Sequence, residues 1–103
     1  MRKVKLKLDY NIVQSLMRML FDYAHNRKSR HNLERMAIGL CVMLQLRLQV
    51  KTIIVWSKKR SISFSIPEAC AIVEALGTLS YPGDNLTEAH RMSLLLLIDP
   101  QLP

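Results

Sequence analysis

Between Leu33 and Val55 the chain reads LERMAIGLCVMLQLRLQVKTIIV, a stretch that is apolar on two opposite sides and has no helix breaker after Gly39. At about 100° per residue, Leu33, Ala37, Leu40, Cys41, Leu44, Leu48 and Val55 fall within roughly 60° of one direction. Ile38, Val42, Leu46, Val50 and Ile53 form a second stripe on the other side, with Arg47 and Lys51 in one seam and Gln45, Gln49 and Thr52 in the other. Over Leu44–Lys51, two opposed stripes produce the apolar–polar alternation of a strand. No Gly, Pro, Asn or Asp occurs between residues 40 and 60, which favours one continuous helix from about 31 to 57. The competing arrangement ends the helix near Leu44 and pairs residues 46–56 with 61–66 as a hairpin across SKKR. The β-branched run in TIIVW supports it, but it leaves Lys51–Trp56 without a period.

A helix of that length spans about 40 Å, whereas a compact chain of this size is about 33 Å across. One end should overhang the core, leaving the second stripe to the other helices or to a two-fold partner. Cyclic dimers are the commonest closed assembly. The expectation is therefore a homodimer, with Ile38, Val42, Leu46, Val50 and Ile53 as its interface.

The remaining elements fall into two similar halves. Arg2–Leu8, RKVKLKL, alternates as a strand; Asp9 offers an N-cap, and Ile12, Val13, Leu16, Met17, Leu20, Tyr23 and Ala24 follow at helical spacing. HNRKSRH (25–31) is a polar connection, with Ser29 or Asn32 available to cap the second helix. Ser61–Ile66 alternates again. Ser65 and Glu68 form a capping box with Pro67 in the first turn, and Gly77 is placed to end the third helix. SYPGD is a turn. Asn85 and Glu88 suggest a second capping box, for a helix ending at Asp99-Pro100. VKLKLD (4–9) and ISFSIP (62–67) are 58 apart, RMAIGLCV (35–42) and RMSLLLLI (91–98) are 56 apart. The predicted fold is α+β and mostly helical: four helices, a short two-stranded sheet, a (βαα)₂-like order with half-repeats 2–57 and 61–98, and a long central second helix. One domain, 1–103, accommodates it.

Charge is unevenly distributed. Residues 1–60 carry fourteen Lys/Arg against Asp9, Asp22 and Glu34, hence +11; residues 61–103 carry Arg91 against Glu68, Glu74, Asp84, Glu88 and Asp99, hence −4, and the sum is the net +7. Lys3, Lys5 and Lys7 would share the outer face of a paired ribbon with Ser61, Ser63 and Ser65. Lys58, Lys59 and Arg60 stand at its entrance, with Trp56 and Tyr10 as stacking faces. These residues define an alternative role, sequence-independent binding of nucleic acid. Lysines on a ribbon also guard against edge pairing, and cations complement a helix C-terminus. No helix-turn-helix spacing, zinc finger or RNP motif singles out the nucleic-acid role. HNRKSRH reads as a solvated basic loop.

Catalytic chemistry has little to work with. GxSxG, HExxH, Walker A and GxGxxG are all missing from the sequence. Asp22 and His25, one turn apart, are the sole acid–base pair of note. His25, His31 and His90 lack metal-ligand spacing, and no cofactor motif is present. Cys41 and Cys70 lie in apolar segments and are expected to be buried. Met17, Met19, Met36, Met43 and Met92 fall at core spacing, and Leu94–Ile98, apolar all round, should be enclosed or in an interface. No run approaches the ~20 apolar residues of a membrane span, and the N-terminus has no signal-peptide core, so the expected location is the cytoplasm. The functional expectation is a non-enzymatic protein–protein interaction module, self-associating and without cofactor.

Overall fold

β1 (Lys3–Leu8) and β2 (Arg60–Ser65) pair antiparallel, from Lys3 opposite Ser65 to Leu8 opposite Arg60. The computed structural model describes residues 2–26 and 32–103. The period of two sorts each strand by face. Val4, Leu6, Leu8, Ile62 and Phe64 are buried against the helices, while Lys3, Lys5, Lys7, Ser61 and Ser63 point to solvent. Each strand leads into two helices, as the alternation and caps predict: α1 (Tyr10–Asn26) and α2 (Asn32–Lys51), then α3 (Ile66–Thr78) and α4 (Asn85–Ile98), with a 3₁₀ turn at Asp99–Gln101. The hairpin between residues 46–56 and 61–66 does not form, because β2's partner is β1.

The caps explain where the helices begin. The Ile12 amide donates to Asp9 Oδ1 at 2.8 Å. At α3 the Glu68 amide donates to Ser65 Oγ at 3.2 Å and the Ser65 amide to Glu68 Oε1 at 2.8 Å, a complete capping box. At α4 the cap is Asp84, one residue before the expected Asn85: its carboxylate accepts from the Thr87 amide and hydroxyl. Glu88 instead accepts from the Tyr81 amide and pairs with Arg91, which also donates to the Leu76 carbonyl. Gly83 takes φ +87° in the turn, a conformation that favours glycine. Gly77 does not end α3, which runs one residue further to Thr78.

Much of this layout repeats at a spacing of 56. The cross-strand pair Leu6–Ile62 and the capping residues Asp9 and Ser65 are each 56 apart. So are the buried residues Val13 and Ala69, Leu16 and Ile72, Met19 and Ala75, and Leu20 and Leu76. The centre of the ribbon thus coincides with the centre of the repeat. The second helices depart from it: Ala37 and Cys41 are buried, whereas Ser93 and Leu97 are exposed.

The main correction concerns the end of α2. The helix stops at Lys51, not near residue 57. Thr52 Oγ1 donates to the Leu48 carbonyl at 2.9 Å, the Trp56 indole N–H to the Lys51 carbonyl at 2.9 Å, and the Tyr10 hydroxyl to the Thr52 carbonyl at 3.4 Å. The last two occupy the Lys51 and Thr52 carbonyls, which a longer helix would have used. Trp56 is buried, edge-on to Tyr10 at 6.0 Å and covered by the Arg60 guanidinium at 5.0 Å. Burying a large indole requires the chain to turn back, and the β-branched residues 52–55 offer weak helix propensity against it. At 20 residues α2 is about 30 Å long and fits within extents of 41 × 39 × 26 Å, so no overhang arises.

Other expectations also fail. Cys41 is buried, but Cys70 is exposed on α3. Met19 is enclosed and Met17 half-buried, whereas Met36, Met43 and Met92 are exposed. Of Leu94–Ile98, only Leu94 and Ile98 are buried; Leu96 and Leu97 face solvent.

Candidate interaction surface

α2 packs one face against α1 and α3 through Ala37, Cys41, Leu44 and Leu48. Burial drives the Cys41 thiol up to about 12, so it behaves as a small hydrophobe. The opposite face is bare. Met36, Met43, Leu46 and Val50, with Ile53 just past the helix end, are between 57% and 78% exposed. Ile54 and Val55 extend the apolar surface beyond Ile53. Of the five residues expected at an interface, Leu46, Val50 and Ile53 lie on this surface, while Ile38 and Val42 are half-buried at its flank.

Met36 and Met43 are the residues that wheel reasoning missed. Positions 36, 39, 43, 46, 50 and 53 follow one another at steps of 3, 4, 3, 4 and 3, the a/d spacing of a coiled-coil seam. That spacing is visible in the sequence, but assigning every methionine to the core hides it. Gly39 occupies one seam position, and a Cβ built there meets nothing within 4 Å.

The ribbon offers no comparable docking edge. Both outward backbone groups of Lys5 are taken by the Gln101 amide: the Lys5 N–H donates to Oε1 at 3.3 Å, and Nε2 donates to the Lys5 carbonyl at 3.2 Å. On β2, Arg47 donates to the Ser63 carbonyl at 3.3 Å, and Glu68 holds the Ser65 amide. Arg47 also pairs with Glu68 at 3.1 Å and lies over the Phe64 ring. Side chains thus occupy the Lys5 position of one edge and the Ser63 and Ser65 positions of the other.

The ribbon's outer face does gather the basic residues. Lys3, Lys5 and Lys7 stand opposite Ser65, Ser63 and Ser61, with exposed Lys58, Lys59 and Arg60 adjoining the Leu8 end. Trp56 and Tyr10 do not serve as free stacking faces, since they pack on each other and close the end of α2. Residues 27–31 of HNRKSRH, including Ser29 and His31, lie outside the described residues.

Asp22 and His25, one turn apart on α1, turn to other partners. Asp22 accepts from the Tyr81 hydroxyl at 2.7 Å, while His25 stacks on Phe21 and bonds its carbonyl. Burial, with the Asp22 hydrogen bond second, pushes the Tyr81 phenol well up. Arg18 joins this cluster, donating to Asp84 and Thr87 and lying over the Tyr81 ring. The cluster ties α1 to the α3–α4 turn. Ser15 Oγ and His90 Nδ1 meet at 2.6 Å between α1 and α4. Among the described residues no acidic side chain is hydrogen-bonded to His90. Among the described residues no group of three His, Cys, Asp or Glu could hold a metal, and no helix is long and apolar enough to cross a membrane. The chain matches no protein-family model, and comparisons with curated proteins and with solved structures give no match.

Proposed function

We propose that this protein is a non-enzymatic interaction module that self-associates through the outer face of α2. The observation that carries the proposal is the solvent-facing seam of Met36, Met43, Leu46, Val50 and Ile53 at coiled-coil spacing. Scattered surface apolar residues need no explanation; a contiguous row along a helix marks an interaction site. Side-chain partners at Lys5, Ser63 and Ser65 leave the ribbon edges less open to pairing than that face is to packing. Replacing both Leu46 and Val50 by Glu tests the proposal. The double variant should keep wild-type far-UV circular dichroism and thermal transition shape while eluting at the monomer position. Elution unchanged from an associating wild type would place the interface elsewhere.

A second reading rests on a separate observation: the ribbon's outer face carries three lysines and three serines with no acid among them. Cations about 6.6 Å apart along a strand suit contact with a phosphate backbone. Labelled oligonucleotides titrated at two salt concentrations test it, with the double charge reversal of Lys58 and Lys59 to Glu as control. Binding that falls with salt and is lost in the variant supports this role; absence of binding at low salt removes it. That variant should leave the α2-mediated assembly unchanged.

A further inference from the structure

We infer that the loop following α2 docks on the surface of an anionic lipid bilayer. Ile53, Ile54 and Val55 enter the boundary between headgroups and acyl chains, while Lys51, Lys58, Lys59 and Arg60 contact lipid phosphates. Ile53 and Ile54, at 78% and 74% exposure, are the most exposed large apolar side chains among the described residues, and Val55 follows at 70%. Three consecutive apolar side chains in water run against the patterning of a soluble chain unless they serve a function.

The loop is braced in that position. The Trp56 indole N–H, bonded to the Lys51 carbonyl at 2.9 Å, closes its base, and the Thr52 carbonyl accepts from the Tyr10 hydroxyl at 3.4 Å. Thr52 and Trp56 are buried on either side of the three exposed residues, which therefore form the tip.

Charge identifies what covers the tip. Lys51, Lys58, Lys59 and Arg60 are all exposed, and no Asp or Glu occurs between Glu34 and Glu68. Glu68 is committed to the Ser65 amide and to Arg47. Asp9, which follows Leu8 opposite Arg60, is committed to the Ile12 amide. A second copy meeting tip to tip would bring both sets of cations together with no acid to offset them. A nucleic acid would satisfy the cations but leave the aliphatic side chains in water, since bases stack on aromatic faces and Trp56 and Tyr10 pack on each other. A bilayer bearing anionic lipid satisfies both, with the apolar tip inserted and the cations at the level of the phosphates. So short an anchor is shallow and binds reversibly, needing insertion and charge together. The tip lies beyond α2, which ends at Lys51, so docking stands separately from self-association through that helix.

Flotation of the full chain with two kinds of vesicle tests the docking: pure phosphatidylcholine, and phosphatidylcholine with about one-third phosphatidylserine. The chain should float with the anionic vesicles only, and added salt should weaken binding. Ile54→Ser with Val55→Ser, and Lys58→Glu with Lys59→Glu, should each lower the partition coefficient at least about ten-fold, with far-UV circular dichroism unchanged. Neither pair touches the row from Met36 to Val50, so vesicle binding and assembly are lost or kept independently. In a Cys70→Ser background, Ile54→Cys carrying a polarity-sensitive fluorophore should shift to the blue on anionic vesicles, Cys41 being buried. No flotation with anionic vesicles at low salt would overturn membrane docking. So would binding that the serine pair leaves unchanged and that gives no fluorophore shift, because the basic residues would then act as a polyanion site without insertion.

Discussion

Trp56 is the residue on which the end of α2 depends, and its replacement gives a graded prediction. The side chain is 6% exposed, and its N–H reaches the Lys51 carbonyl at 2.9 Å. Truncating a buried Trp to Ala costs about 3–5 kcal/mol. Trp56→Phe keeps an aromatic ring beside Tyr10 but loses the hydrogen bond, worth about 1 kcal/mol, plus part of the packing; roughly 2 kcal/mol in all is expected. Against a total of about 5–15 kcal/mol, the Ala variant should melt roughly 15 °C or more below wild type, and the Phe variant should fall between. Trp56 is the single tryptophan, so its fluorescence would vanish in both variants. Urea unfolding is therefore followed by circular dichroism, at one low protein concentration so that assembly contributes equally. An Ala variant within about 1 kcal/mol of wild type would refute the view that a buried indole terminates the helix.

Three further outcomes follow from local chemistry. Ser65→Ala removes half of the capping box and should cost about 1 kcal/mol in the same assay; Ser63→Ala, on the exposed face, should cost much less. A colorimetric thiol reagent should titrate Cys70 rapidly in the native protein and Cys41 only after unfolding, because Cys41 is enclosed; two rapid equivalents would contradict that burial. The Thr87 amide and hydroxyl, with Arg18 alongside, hold the Asp84 carboxyl below the usual carboxylate range. A lowered folded-state pKa means that Asp84's contribution is complete at neutral pH and fades as pH falls below about 4. The stability gap between wild type and Asp84→Asn should accordingly shrink on acidification; a gap that widens would invert the assignment.

Local rules made much of the fold legible. Alternation located both strands, and Ser65 with Glu68 located α3, because strand period and cap chemistry act over a few residues. The pairing of β1 with β2 was legible only through the preference for helix over a 46–56 hairpin, which leaves the two strands to each other. The end of α2 was not, because Trp56 reaches Tyr10, 46 residues away in the chain, and propensity carries no record of that contact. Cys70 and Met43 show the same limit from the surface. Each is apolar and at helical spacing, yet the side of a helix that the core covers is decided by elements elsewhere in the chain. On α2 the two opposed stripes exceed what the core covers, and the exposed part centres on Met36, Met43, Leu46 and Val50 rather than on Ile38 and Val42.

Sedimentation equilibrium of the wild-type chain across a wide concentration range tests the account most directly. A bare seam on α2 requires the mean mass to rise reversibly from 11.9 kDa toward twice that value and to stop there. A mass that stays at 11.9 kDa up to the highest concentration would contradict self-association outright.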